Sequence, residues 1–431
     1  MTGRNRQSDP SMRESGLLAE ITDFYLQSND YNGVPTSSLI AKHGKQQLRG
    51  LLHKLIIEGK VCVLYADCHL NPHILGLPCE PVEQQLTKLT TTQMEHGCVY
   101  PTREHLEDII GPAEFRDRPY KRCLALGTPQ LSHRSFDLAI LEIYRNDPRY
   151  SYQYGDICGS ISIKDEYFEI ERMKESDQIL LQNFGFSLDE DHNMYVAVFL
   201  RYLSRLSSEH QLIWASKEVT HTTRLHPDYF RISILGDWQE RLSPYQAVLL
   251  EMKSINELSV AIGHAPLFNN HFSESNRPRN FGYLLRPTLK EYNDFVHLLD
   301  KMLSENINRE FFRREVAFEE EEVRKDGKVA VRAKGTIQIL EDWLRAKFQS
   351  DDRGEIEEML ETFRRVRSMR QKPAHSIKED EFNQRYIHDQ RDLMRSVYRA
   401  VKILRVILAL HPFASKVEID HYLQEGLIWP I

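Results

Sequence analysis

Two residues near the end of this 431-residue chain have types and a spacing that could act on a phosphate ester: Arg370 and His375. A guanidinium presents a fork of N–H donors that can hold phosphate oxygens as they gain negative charge. An imidazole titrates near neutrality, so it can take or deliver a proton at the same centre. Between the two lie Gln371, Lys372, Pro373 and Ala374, and the proline breaks the helix that carries the arginine. Arg365 and Arg367 precede the pair on that helix and, with Lys372, could guide a nucleic-acid backbone toward it.

The spacing alone is not selective, because Arg205 and His210 repeat it. What differs is the setting. Arg205–His210 lies where one expected helix passes into the next. Arg370–His375 joins two helices of a region, 336–412, that reads as an independent helical unit. Helices are expected there over 336–348, 354–371 and 379–410. Their stripes of Leu340, Trp343, Leu344, then Met359, Phe363, Val366, then Leu393, Val397, Val401, Leu404 would form a bundle core.

A second constellation lies at the other end. Helical spacing starts at Ser15, a second helix follows Pro35-Thr36, and a third carries Leu48, Leu52, Leu55 and Ile56 on one face. The strand Val61-Cys62-Val63-Leu64-Tyr65 comes next. Three helices and a strand, with Gly44 between the second and third helices, resemble a winged helix-turn-helix. The third helix would expose Lys45, Gln46, Gln47, Arg49, His53 and Lys54. Lysine and arginine bind phosphates there, while glutamine and arginine can read base edges in a major groove. Such a module also serves elsewhere as a protein-contact surface.

The balance of 56 Lys+Arg against 63 Asp+Glu, net −7, argues against a uniformly basic nucleic-acid-coating surface but permits local basic patches. No apolar run reaches the ~18–20 residues of a membrane helix, and the first ten residues lack a signal-peptide core. The six cysteines form no Cys-x-x-Cys pair. They are expected to be reduced thiols of a cytoplasmic protein. Cys68, His69, His73 and Cys79 do not follow the common zinc-finger spacings, so neither metal nor cofactor is expected.

The stretch 81–315 reads as a middle, mostly helical domain of unknown role. Helices are expected over 135–145, 176–184, 194–206, 209–219, 244–263 and 289–306, and a strand over 159–163. Glu251 and Glu257 are expected in solvent, and Arg277, Arg279 and Arg286 form the best basic patch of this stretch. Asp326-Gly327 between valine-rich flanks predicts a β-hairpin over 316–335. The expected organisation is a disordered leader 1–13, a winged-helix module 14–80, the middle domain 81–315, the hairpin 316–335 and a helical bundle 336–431. The fold class is mainly α, α+β overall.

The helix, the Pro-Ala-His ending after Arg370 and the long following helix resemble the HEPN superfamily, whose motif is Arg-x4–6-His. Arg370 and His375 stand at its two motif positions. Members often place Asn, Asp or His directly after the arginine, where this chain has Gln371. The resemblance covers only the last 95 or so residues. It implies a metal-independent endoribonuclease, assembled as a homodimer with two motifs facing one cleft, and a toxin or antiviral-defence setting. RNA would supply its own 2′-hydroxyl nucleophile. The alternative from the other end of the chain is a non-enzymatic DNA-binding regulator, with the bundle as its dimerisation module.

Overall fold

A computed structural model of the protein describes residues 10–67, 71–168, 174, 177–273, 275–323, 329–348, 353–371 and 379–430. It is about 52% helix and 16% strand, an α+β chain. Its contacts divide it into two compact units. One comprises Met1–Ile140, Asn146–Ser151 and Ser160–His226; the other comprises Leu141–Arg145, Tyr152–Gly159 and Pro227–Ile431. The division falls near residue 226, so the span 81–315 contributes to both.

In the first unit, helix Pro10–Gln27 starts ahead of Ser15 and buries Leu17, Ile21 and Tyr25. Strand β1 (Val34–Pro35) leads into helices Thr36–His43 and Lys45–Ile57. Gly44 joins the two helices at φ 80°, a backbone angle that a side chain would disfavour. Strands β2 (Val61–Tyr65) and β3 (Gly97–Pro101) complete an antiparallel sheet of order β1-β3-β2, with Val99 opposite both Val34 and Val63. Leu39, Leu48, Leu52, Leu55 and Ile56 pack on that sheet in one core. The chain is close-packed at Gly33, where an added Cβ would come within 2.4 Å of the Tyr100 ring.

The connection from β2 to β3 holds helix Val82–Leu89 and a 3₁₀ turn, Thr92–His96. Within it Cys79 forms a disulfide with Cys62, which corrects the expectation of six reduced thiols. Their separation of 17 residues carries no spacing signal, and only the path of this connection brings the two sulfurs together. Cys68 and His69 lie outside the described residues. Among the described residues no group of three or more His, Cys, Asp or Glu could hold a metal ion.

The second sheet overturns part of the expected helical middle. It contains β4 (His133–Phe136), β5 (Tyr150–Tyr154), β6 (Cys158–Ile163), β7 (Leu180–Leu188), β8 (Met194–Phe199) and β9 (Arg224–Leu225). The order is β4-β8-β7-β6-β5, with β9 also on β7. Helices are expected over 176–184 and 194–206, yet β7 takes up Leu180 onward and β8 Met194–Phe199, and among the described residues of these stretches the α-helix is Leu200–Leu203. Val196, Ala197, Val198 and Phe199 are all buried. A strand covered on both faces loses its alternation and reads as a continuous apolar run, the same signal as a buried helix. Likewise 135–145 is not one helix but β4, a 3₁₀ turn and helix Glu142–Asn146.

In the second unit, helices Pro244–Ala261, Leu289–Met302, Thr336–Lys347, Gly354–Gln371 and Arg385–Ala409 share a single core. The Ser243 hydroxyl accepts from Gln246 N–H and the Gln246 side chain accepts from Ser243 N–H, so the first helix starts with a capping box. Arg385–Ala409 packs along Pro244–Ala261 as well as Gly354–Gln371. The bundle expected to stand alone therefore shares its apolar faces with helices upstream of it. Residues 379–384, expected to be helical, precede the last long helix: Glu381 O accepts from Leu289 N–H and Phe382 bridges to Thr288. Strands β10 (Glu319–Val323) and β11 (Val329–Ala333) form the expected hairpin, with Glu319 opposite Ala333. Its Asp326-Gly327 turn lies outside the described residues.

Candidate functional site

Arg370 projects from the last turn of Gly354–Gln371 toward helix Leu289–Met302 and the 3₁₀ turn Ser304–Asn306 that follows it. Its Nη1 donates to Asp300 Oδ2 at 2.7 Å and to Glu305 Oε1. Arg367, one helical turn earlier, reaches the same carboxylates at 3.4 and 3.8 Å. Asp300 is fully buried, and its second oxygen has no hydrogen-bond partner. The hydrogen bonds to Asp300 and Glu305 raise the Arg370 guanidinium above its ordinary value, and Arg370 in turn lowers the Glu305 carboxyl. Two cations thus face two carboxylates, and the charge Arg370 would offer a phosphate is already compensated.

Of the other expected contacts on this helix, Arg365 is exposed and makes no ion pair among the described residues. His375 and Lys372 lie outside the described residues. The repeat of the spacing is separated by burial. Arg205 is exposed and bonds Asp30 at 2.8 Å, whereas His210 is in the core.

On helix Lys45–Ile57 the alternation of Leu48, Leu52 and Leu55 turns Gln46, Gln47, Gly50, His53 and Lys54 outward. Lys45 pairs with Glu95, and Lys54 with Glu14 and Glu58. Lys45 lowers the Glu95 carboxyl, and Glu14 raises the Lys54 ammonium. Arg49 is half-buried, and its Nε has no hydrogen-bond partner. Gln46 and Gln47, uncharged donors and acceptors, are exposed on this face.

The basic patch expected at Arg277, Arg279 and Arg286 is consumed inside the second unit. Arg277 makes two bonds to buried Asp156, one of them 2.9 Å, and lies over the rings of Tyr154, Tyr245 and Phe281. Arg286 pairs with Glu142 at 2.7 Å, and Arg279 donates to the Arg145 carbonyl. Glu251, expected in solvent, is fully buried against Arg405 at 2.6 Å, because Arg385–Ala409 covers that side of its helix. Desolvation raises its carboxyl above the ordinary value.

Sequence reasoning missed the carboxylates that hold Arg370 and also a basic cavity in the first unit. That cavity is about 240 Å³ and is lined by Asp30, Arg118, Lys121, Arg201 and Arg205 among others. Its cations come from two stretches, 118–121 and 201–205, which no local pattern links. No protein family matches the chain, and neither does any characterised protein or solved structure.

Proposed function

We propose that the protein is a DNA-binding regulator whose residues 10–101 form a winged helix-turn-helix, with helix Lys45–Ile57 as the recognition element. The observation that carries this reading is the sheet order β1-β3-β2 packed under helices Thr36–His43 and Lys45–Ile57. In this arrangement the inner face of Lys45–Ile57 packs on the core while its outer face stays free to enter a groove. Gln46 and Gln47 are exposed on it, and a glutamine amide can bond both N6 and N7 of adenine. Lys45 and Lys54 would exchange their carboxylates for DNA phosphates, so affinity should fall with salt but less steeply than for a strongly basic surface.

Fluorescence anisotropy on a pool of duplex sequences tests this reading. Gln46→Ala/Gln47→Ala should weaken the preferred duplex by about 1–3 kcal/mol per lost bidentate contact and flatten its sequence preference. Duplex affinity and preference that do not change in this variant would sink the proposal.

The second reading, a metal-independent endoribonuclease, is favoured by Arg365, Arg367 and Arg370 lying along one helix, Gly354–Gln371, that ends four residues before His375 in the sequence. It ranks below the first because Asp300 and Glu305 already occupy Arg370 and Arg367. RNA cleavage abolished by His375→Ala, in a variant that keeps its fold, would reverse the ranking.

A further inference from the structure

We infer that the cavity lined by Arg118, Lys121, Arg201 and Arg205 is a binding site for a small phosphoryl anion, a phosphate monoester or pyrophosphate. All of its walls belong to the first unit. Arg118 caps helix Pro119–Ala125 and Lys121 lies in its first turn. Arg201 and Arg205 come from helix Leu200–Leu203 and the turn after it. Asn29, Asp30 and Tyr31, which follow helix Pro10–Gln27, also line it. These walls are tied together: Gln130 donates to the Asp30 carbonyl, Arg201 N–H donates to the Gln130 carbonyl at 3.1 Å, and Tyr25 donates to the Leu124 carbonyl at 2.6 Å.

Four cations face one carboxylate here, and that carboxylate, Asp30, is taken by Arg205. Arg118, Lys121 and Arg201 have no ion-pair partner among the described residues. In a chain of net charge −7 this contrasts with Lys45, Lys54, Arg367 and Arg370, which all carry carboxylate partners. Like charges held around a concave wall reinforce one another's potential and attract a counter-anion.

Size narrows the class. A cavity of about 240 Å³ is smaller than the ~300–1,000 Å³ of pockets that enclose a drug-sized ligand, so a phosphoryl group enters and the body of a larger molecule stays outside. Arginine forks and a lysine point charge suit the oxygens of a tetrahedral phosphoryl anion better than a single carboxylate.

Calorimetric titration of the full chain with inorganic phosphate and with sodium pyrophosphate tests the site. Pyrophosphate should bind, and its affinity should fall as sodium chloride rises. Lys121→Gln and Arg201→Gln should each weaken it about tenfold, roughly the loss of one charge-assisted hydrogen bond. Arg118 is exposed, so Arg118→Gln keeps the fold and should weaken binding in the same direction. Gln46→Ala/Gln47→Ala should leave it unchanged, which separates this site from the DNA-binding helix. A 5′-phosphorylated oligonucleotide binding better than its 5′-hydroxyl twin, in a manner sensitive to Lys121→Gln, would identify a nucleic-acid end as the source. Equal binding of the twins beside pyrophosphate binding would identify a free small molecule. No heat with either anion at millimolar concentration, or affinities that Arg118→Gln and Lys121→Gln leave untouched, would overturn the inference.

Discussion

Arg370 shows how little a residue type says without its neighbours. Asp300 is buried and leans on Arg370 and Arg367, so removing the nearer cation leaves a carboxylate short of a partner. Arg370→Gln should lower the unfolding free energy by about 1–3 kcal/mol in urea titrations at pH 7. The pH dependence has a definite sign. Arg370 holds Glu305 below its ordinary value, so this pair contributes fully above the unfolded value of about 4.3 and is lost as pH falls through the lower folded value. The gap between wild type and Arg370→Gln should therefore narrow below about pH 4. A gap that stays constant from pH 7 to pH 3 would mean that the Glu305 pair contributes nothing. Asp156 is a stronger case: φ is 64°, and its carboxylate meets Arg277 and Ser243 with no solvent exposure. Asp156→Ala leaves a buried guanidinium uncompensated and should cost about 3–5 kcal/mol, read as a lowered denaturation midpoint.

Among the elements, helices Pro244–Ala261 and Arg385–Ala409 meet through apolar faces and one buried ion pair, Glu251–Arg405. The pair is desolvated, which is why the Glu251 carboxyl is raised. A raised carboxyl means that the folded state holds its proton more tightly, so stability falls as pH rises through that window. Arg405→Met alone should destabilise by about 3–5 kcal/mol because an unpaired carboxylate remains. Glu251→Met/Arg405→Met should recover most of that loss or exceed wild type in thermal denaturation. A double variant no better than the single one would show that the pair is net stabilising. The sheet strands β7 and β8 teach a related lesson. Their residues were apolar enough for a helix or a strand, and pairing with β4 and β6 decided the matter.

At the scale of the whole molecule, the second unit is not one stretch of chain. It takes Leu141–Arg145 and Tyr152–Gly159 from within the sequence of the first. Those short pieces supply Glu142, Arg145 and Asp156, the partners of Arg286, Glu291 and Arg277. A fragment 227–431 therefore keeps its helices but loses the counter-charge of a buried arginine. It should show no cooperative thermal transition by circular dichroism, whereas the full chain should. A sharp transition in the isolated fragment would show that the inserted pieces are dispensable.

The local patterns were legible where a helix had one apolar face and a clear stop. Gly354–Gln371 was expected at those very bounds, Pro244–Ala261 nearly so, and the third helix with its following strand were read from Leu48, Leu52, Leu55 and the Val61–Tyr65 run. Helical periodicity and turn residues are properties of neighbours in sequence, so the sequence by itself determines them. Partners distant in sequence were not legible. Arg370 with Asp300, Glu251 with Arg405, and Arg118 and Lys121 with Arg201 and Arg205 depend on where the chain returns to itself. Charge is readable from the chain, but compensation of charge is a matter of distance, and only the tertiary structure sets that distance.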